Sequence, residues 1–432
     1  MRRVLFLASV TLALLAAPAR AEFQVGTAKT DVTPPSGVRM YGYGARGRNV
    51  STGVHDPLFA KALVLTDGER ISAWVTMDLG YADSSLTDDV RAGVRSVLGF
   101  DDVFLTASHT HSGPHFVSGF PDPDAPWTTW LRRELVGVVV DAYNTLQPAR
   151  LGVGWGHVNL GHNRRRILAD GSVDMFWENR AGSPTNPVDT SVAIVGFDTV
   201  AGTPIATLVN LAIHPVVLGP ENLLYSADYP GAMMHVVERE GGGLTMFLQG
   251  AAGDINPFWD KTPLSDGAYE RMQEMGTAIG IEVLRVRPTL QFTDVESIAL
   301  GSEEIELRPR WDLTDATIRA GIRRDYVDRF ERERNAEVKT LLIGDHLALA
   351  AFPGEFFVEH GLRLKQESVI RDTLFVGYSN GHLGYFPTIK AAAEGGYGAD
   401  SSTIVNVGAG EELVNRALIN LGYLSGRLRQ LP

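Results

Sequence analysis

The sequence predicts an α/β fold, a single large domain in which mixed β-sheets are covered by helices. Three observations carry this expectation. Helix-period segments alternate with short apolar runs along most of the chain. Two pairs of apolar runs are joined by hairpin turns. No internal repeat, low-complexity tract or linker rich in Pro, Ser or Gly divides the 432 residues. The weakest seam lies at residues 290–306, where short strand-like pieces separate two helices.

In chain order, residues 23–78 read as strands and turns. Pro34-Pro35 ahead of Gly37 marks a turn, and 60–65, Asp67-Gly68 and 71–77 form an expected hairpin. Apolar spacing predicts a helix over 86–98, a strand over 103–106 and a longer helix over 128–146. Residues 191–197 and 205–213 are strand-like, 232–240 helical and 245–249 a buried strand. Charged amphipathic helices are expected over 269–286 and 316–334. A second hairpin is expected from 338–343, Gly344-Asp345 and 346–351, and a last buried strand from 373–378.

The first residues read as an address rather than as structure. Arg2 and Arg3 precede an apolar run over 4–17, and Ala19-Arg20-Ala21 supplies a small-x-small cleavage site before Glu22, the pattern of a secretory signal peptide. The run is shorter than the ~20 residues needed to span hydrocarbon. Residues 1–21 are therefore expected to be removed and 22–432 to be secreted or periplasmic, without a transmembrane segment; the opposing reading is an uncleaved anchor.

Composition narrows the function. With 39 Lys+Arg against 51 Asp+Glu, the net charge of −12 offers no basic stripe for nucleic acid. The absence of cysteine excludes disulfides, thiolate metal sites and cysteine nucleophiles, so any metal must be held by His, carboxylate or Tyr.

The most informative string is Ser108-His109-Thr110-His111-Ser112-Gly113, at the end of an expected strand. On extended chain, residues i and i+2 share a face, so His109 and His111 can enter one cavity with metal-ligand spacing; zinc is the usual partner of imidazole. The alternative is a loop of solvated histidines. His214 also ends an apolar run, as strand ends do at the carboxyl edge of open sheets, although a core histidine bonded to a carbonyl would look the same. Glu355, in Phe352-Pro353-Gly354-Glu355-Phe356, is a carboxylate within an apolar run, where burial requires a cation or a metal; taken alone, it reads first as the partner of an arginine. Gly250-Ala251-Ala252-Gly253-Asp254-Ile255-Asn256-Pro257 is glycine-rich but lacks the Lys-Ser/Thr of a phosphate-binding loop. Gly377-Tyr378-Ser379-Asn380-Gly381 fits the nucleophile-elbow spacing, yet glycines and a proline succeed it where that motif needs a helix.

Taken in order, these strings resemble the catalytic domain of the neutral (non-lysosomal) ceramidase family, zinc amidases that cleave the N-acyl bond of ceramide. The resemblance starts at Gly26-Thr27-Ala28-Lys29-Thr30-Asp31-Val32-Thr33, continues through Tyr41-Gly42-Tyr43 and Thr52-Gly53-Val54-His55, and covers nearly all of 22–432. It implies zinc ligation by His109, His214, Glu355 and Tyr385, the last in Ser379-Asn380-Gly381-His382-Leu383-Gly384-Tyr385. It places His111, Arg164 (after Asn163) and Tyr397 beside the scissile amide. By the same resemblance a zinc-activated water attacks the carbonyl, with His111, Tyr397 or Arg164 as oxyanion donors. A lipid substrate implies transient contact with a membrane surface.

Two departures accompany the resemblance. The family's G-D-x-S-P serine is replaced by Asn256, which cannot act as a nucleophile but can donate a hydrogen bond to an oxyanion. The family's C-terminal immunoglobulin-like domain has no counterpart before Pro432. The expected function is thus an exported zinc-dependent amidohydrolase acting on ceramide or another N-acyl lipid, with two rivals: a zinc hydrolase of a soluble amide or ester, and a non-catalytic zinc-scaffold binding protein.

Overall fold

The computed structural model describes residues 22–115, 126–322, 324–400 and 402–429. The expected signal segment lies outside the described residues. The fold is mixed α/β, as expected. The larger sheet has nine strands. Eight of them run in the order Leu244–Gln249, Pro204–Leu211, Ser191–Thr199, Gln147–His157, Gln24–Asp31, Phe59–Thr66, Ile71–Met77, Val103–Ala107, and Phe292–Thr293 pairs with Gln147–His157. A four-stranded sheet has the order Ile298–Glu306, Asn335–Ile343, Leu347–Ala351, Thr373–Val376.

Alternation decides what each face of the larger sheet packs against. Ala62, Val64, Val75 and Leu105 pack with Val90 and Leu135 of the helices Ser84–Leu98 and Pro126–Tyr143, and Ile194, Val209 and Phe247 with Met233 and Ile279 of Asp228–Arg239 and Ala268–Val286. Their neighbours Leu63, Trp74, Phe104, Val195 and Leu208 share a core with Leu341, Leu349 and Leu374 of the four-stranded sheet. That sheet's Val338 and Phe375 pack with Leu364 and Leu413 of the helices Val358–Glu367 and Ala409–Leu424. Both hairpins form in the expected places, with Leu63 opposite Trp74 and Leu341 opposite Leu349.

Two expectations change, and one strand is not foreseen. The helix expected over 316–334 is two, Ala316–Gly321 and Arg324–Arg332, because Ile322 is extended (φ −98°, ψ 143°). The seam at 290–306 holds Ile298–Glu306, a nine-residue strand paired along its whole length with Asn335–Ile343, so it joins the fold instead of dividing it. Gln147–His157 is an eleven-residue strand that the pattern conceals. Its glycines replace apolar side chains where the next layer comes close: a Cβ on Gly154 would lie 2.5 Å from Leu290 Cδ2, and one on Gly156 2.6 Å from Glu282 Oε1.

Three parallel strand pairs converge at their carboxyl ends: Ile71–Met77 with Val103–Ala107, Pro204–Leu211 with Leu244–Gln249, and Leu347–Ala351 with Thr373–Val376. Backbone hydrogen bonds tie those ends together, Gly377 N to Gln249 O (2.9 Å), Ala107 N to Tyr378 O (3.1 Å) and Gly250 N to Leu211 O (2.9 Å). Among the described residues no helix is long and apolar enough to cross a membrane.

Candidate metal and active site

Each parallel pair delivers one side chain to a common point. After Val103–Ala107 the chain is pinned by Ser108 N to Met77 O (2.9 Å) and His109 N to Leu79 O (3.0 Å), and His109 then takes a left-handed φ of 68°. Such a conformation costs about 1–3 kcal/mol in a non-glycine residue; here it swings the imidazole inward. His214 comes just after Pro204–Leu211, held by its N–H on Ile255 O (3.0 Å). Glu355 comes after the turn that ends Leu347–Ala351, in a short parallel pairing that sets it beside Tyr385.

The protonation of these groups decides what they can hold. His109 Nδ1 lies 2.6 Å from Gly80 O, and His214 Nδ1 2.6 Å from Ala252 O. A carbonyl only accepts, so each Nδ1 carries the proton and each Nε2 presents a lone pair. Burial pushes the His214 pKa down to about 4, so the ring is neutral near pH 7. Glu355 Oε2 lies 3.3 Å from His109 Nε2 and 3.2 Å from His214 Nε2. Three acceptors facing one another in a buried space repel unless a cation lies among them, so the residues fit a bound metal. One ring nitrogen from each of His109, His111 and His214 lies within 4.8 Å of the other two, a group that could hold a metal ion.

His111 is held differently. Its Nε2 is 3.2 Å from His109 Nε2, while its buried Nδ1 has no hydrogen-bond partner among the described residues. Burial lowers its pKa well below that of free histidine. Packing orients the ring instead: Tyr41 and Tyr43 meet it edge-on at 5.5 and 4.9 Å, and Gly42 lies against its face. Buried Arg46 donates to the carbonyls of Tyr41 (2.5 Å), His111 (2.6 Å) and Asn222 (3.2 Å), joining three loops. Without a carboxylate to offset its burial, its pKa falls to about 10.

Arg164, Asn256, Tyr385 and Tyr397 form the adjoining wall. Arg164 donates to Asn256 Oδ1 (3.1 Å), Gly253 O (2.6 Å) and Tyr385 Oη (3.1 Å), and its guanidinium lies 5.1 Å from the Tyr397 ring centroid. The Asn256 side chain also donates to Asp260 (2.9 Å), so it orients Arg164 through one end and is anchored at the other. Tyr397 packs edge-on against Tyr385 at 5.4 Å. His111, Glu355, Tyr385 and Tyr397 line a cavity of about 310 Å³.

The same cavity is lined by His382, which sequence reasoning treats only as a spacer in its motif. It is buried, its Nε2 is 3.7 Å from Glu355 Oε1, and it stacks on Tyr81 at 5.1 Å. A fourth histidine near a carboxylate is visible in the composition, but nothing local marks it. Ser379 of the elbow-like string is buried and bonded to Thr106 Oγ1 (2.8 Å) and Gly377 O (3.0 Å), which leaves it no role as a nucleophile.

Parallel strand ends thus converge imidazoles and a carboxylate on one point of an α/β scaffold, a group that could hold a metal ion. The chain belongs to the neutral/alkaline non-lysosomal ceramidase family: residues 23–259 match the family's N-terminal region. It is similar to the neutral ceramidase of Pseudomonas aeruginosa, 27% identical over 387 residues, 82% of this chain and 54% of that protein. Neutral ceramidase A of Dictyostelium discoideum is 25% identical over 260 residues, 54% of this chain and 36% of that protein. The chain thus spans about half or less of the length of these relatives. The crystal structure of neutral ceramidase from P. aeruginosa shares the fold, with a TM-score of 0.75 at 20% identity over 95% of this chain and 76% of that one.

Proposed function

We propose that this protein is a zinc-dependent amidohydrolase that cleaves the N-acyl amide bond of ceramide or a related N-acyl lipid. The single observation that carries the reading is the buried trio of acceptors, His109 Nε2, His214 Nε2 and Glu355 Oε2, opening on a cavity with His111 on its wall. In this reading His109, His214, Glu355 and Tyr385 hold the ion. Bound there, zinc would supply Lewis acidity toward the amide carbonyl and lower the pKa of water to ~7.

The remaining work falls to the chain. His111, with a free Nδ1 and a neutral ring, takes a proton from the attacking water and returns it to the amine as the C–N bond breaks and the C–O bond forms. Arg164, fixed by Asn256 and Gly253, sets a positive charge beside the phenols of Tyr385 and Tyr397, and Tyr397 donates toward the developing oxyanion. Export is part of the proposal, supported by the Arg2-Arg3 and apolar pattern of the first residues.

Wall chemistry favours a second reading. Among the described lining residues Met40 is the sole aliphatic side chain, the rest being glycine, tyrosine, histidine, Arg39 and Glu355. Such a wall suits a smaller or more polar amide than a long-chain lipid. The test measures zinc per chain and fatty-acid release from a fluorescent N-acyl sphingosine, with and without chelator. Zinc with chelator-sensitive release supports the lipid reading; zinc without release moves the substrate to a soluble amide; a protein that binds no metal overturns both.

A further inference from the structure

A second cavity, of about 420 Å³, lies where the strands Phe59–Thr66 and Ile71–Met77 meet the helix Asp228–Arg239, and it shares no lining residue with the first. Most charged groups around it are already partnered. Lys61 Nζ donates to Glu238 Oε1 (2.6 Å) and Thr245 O (2.8 Å). Asp56 accepts from Ser226 Oγ (2.6 Å) on Oδ1 and from the Ala227 N–H (2.8 Å) on Oδ2, with His55 Nδ1 2.6 Å from Oδ1.

Asp78 is the exception. It is 4% exposed and lines the cavity. Its Oδ2 accepts the Phe59 N–H (2.9 Å), and among the described residues Oδ1 has no hydrogen-bond partner. Burial pushes its pKa up to about 7, Lys61 pulling the other way. A carboxylate with one oxygen bonded to the backbone keeps acceptor capacity for a donor in the cavity. The walls beside it are apolar, formed by Phe59, Ala232, Met234 and Met272.

We propose that this cavity binds a small organic ammonium ion carrying a short apolar chain, its N–H donated to Asp78 Oδ1 and its chain laid against Phe59, Met234 and Met272. A charged donor makes the strongest partner for a lone carboxylate. Asp56, Asp78 and Glu238 outnumber Lys29 and Lys61 in the lining, which disfavours an anion. A metal ion lacks the ligand set: among the described residues the group of His109, His111 and His214 alone places its ligand atoms close enough. Ser226 connects the cavity to the metal loop, since it bonds Asp56 on one side while its carbonyl accepts from Thr110 Oγ1 (2.8 Å) and its N–H donates to Ser112 O (3.1 Å). An amine released by amide cleavage belongs to this ligand class, yet the proposal stands on Asp78 and the cavity and not on the reaction.

The test titrates n-hexylammonium into the full chain with its methionine methyl groups ¹³C-labelled. Saturable shifts of the Met234 and Met272 signals are expected, with affinity at least about tenfold weaker in Asp78→Asn, the scale of a lost charge-assisted hydrogen bond. Hexan-1-ol at the same concentrations should leave both signals in place. Equal affinity in Asp78→Asn, or equal shifts with hexan-1-ol, removes the ammonium–carboxylate contact and with it the proposal. No saturable shift of Met234 and Met272 in the unmodified protein overturns it as well, so the outcome does not depend on the variant folding.

Discussion

Gly42→Ala places the sharpest demand on the role given to His111. At Gly42 φ is +105°, and an alanine Cβ there would lie 2.3 Å from His111 Cγ and 2.5 Å from its Cβ and Nδ1. Carbon atoms rest at roughly 3.5–4.0 Å, so the imidazole would have to retreat by about 1 Å or more. The backbone cannot absorb this, because Arg46 holds the His111 carbonyl at 2.6 Å and the Tyr43 ring stands 4.9 Å away. A displacement of about 1 Å at a reacting group costs on the order of 10²-fold in rate, or about 3 kcal/mol of barrier. The metal should stay, since Gly80 and Ala252 still fix His109 and His214. The assay is kcat alongside metal per chain by elemental analysis. An unchanged kcat at full metal occupancy would refute the reasoning, and loss of metal would move His111 into the ligand set.

Neighbouring contacts set further outcomes. His109→Ala should abolish both bound metal and activity; full occupancy by elemental analysis would remove His109 from the ligands. Asn256→Ser should leave metal content unchanged and alter turnover only, because Asn256 reaches the site through Arg164. His382→Phe should weaken metal affinity by roughly 10–100-fold in chelator competition, the usual effect of losing an outer partner of a ligating carboxylate, and an unchanged affinity would make His382 a packing residue. Asp78→Asn should stabilise the protein in a pH-dependent way. With a folded pKa of about 7 against 3.8 unfolded, Asp78 is neutral in both states at low pH, and its cost appears as pH rises from about 4 and is complete above about 7. Some three pKa units amount to about 4 kcal/mol, or roughly 4–5 °C in Tm at ~2 cal/mol/K per residue for 432 residues. Thermal scans at pH 4 and pH 8 in amine-free buffer check the sign, and a variant no more stable at pH 8 would show that the buried charge is compensated.

Local pattern was enough wherever local forces decide structure. The two hairpins carry their turn residues between apolar runs, and Ser84–Leu98 has its cap at Asp83 and its stripe at Leu86, Val90 and Val94. Gln147–His157 escaped because its glycines are dictated by Leu290 and Glu282, more than a hundred residues away. The helix expected over 316–334 fails at Ile322, where nothing in the apolar spacing announces extended backbone.

The sequence by itself determined the α/β class and the absence of thiol chemistry, and it set His109 and His214 at the ends of apolar runs and Glu355 within one. Those are properties of short windows, read from periodicity and residue chemistry. Only the tertiary structure decided that Glu355 Oε2 meets His109 and His214 Nε2, that Gly80 and Ala252 fix their tautomers, that Gly42 and Arg46 cradle His111, and that His382 and Asp78 face cavities. The physical reason is one of range. Hydrogen bonds and close contacts act over a few ångströms, and the groups that make this site are brought within that distance only when three separate parallel strand pairs align their carboxyl ends.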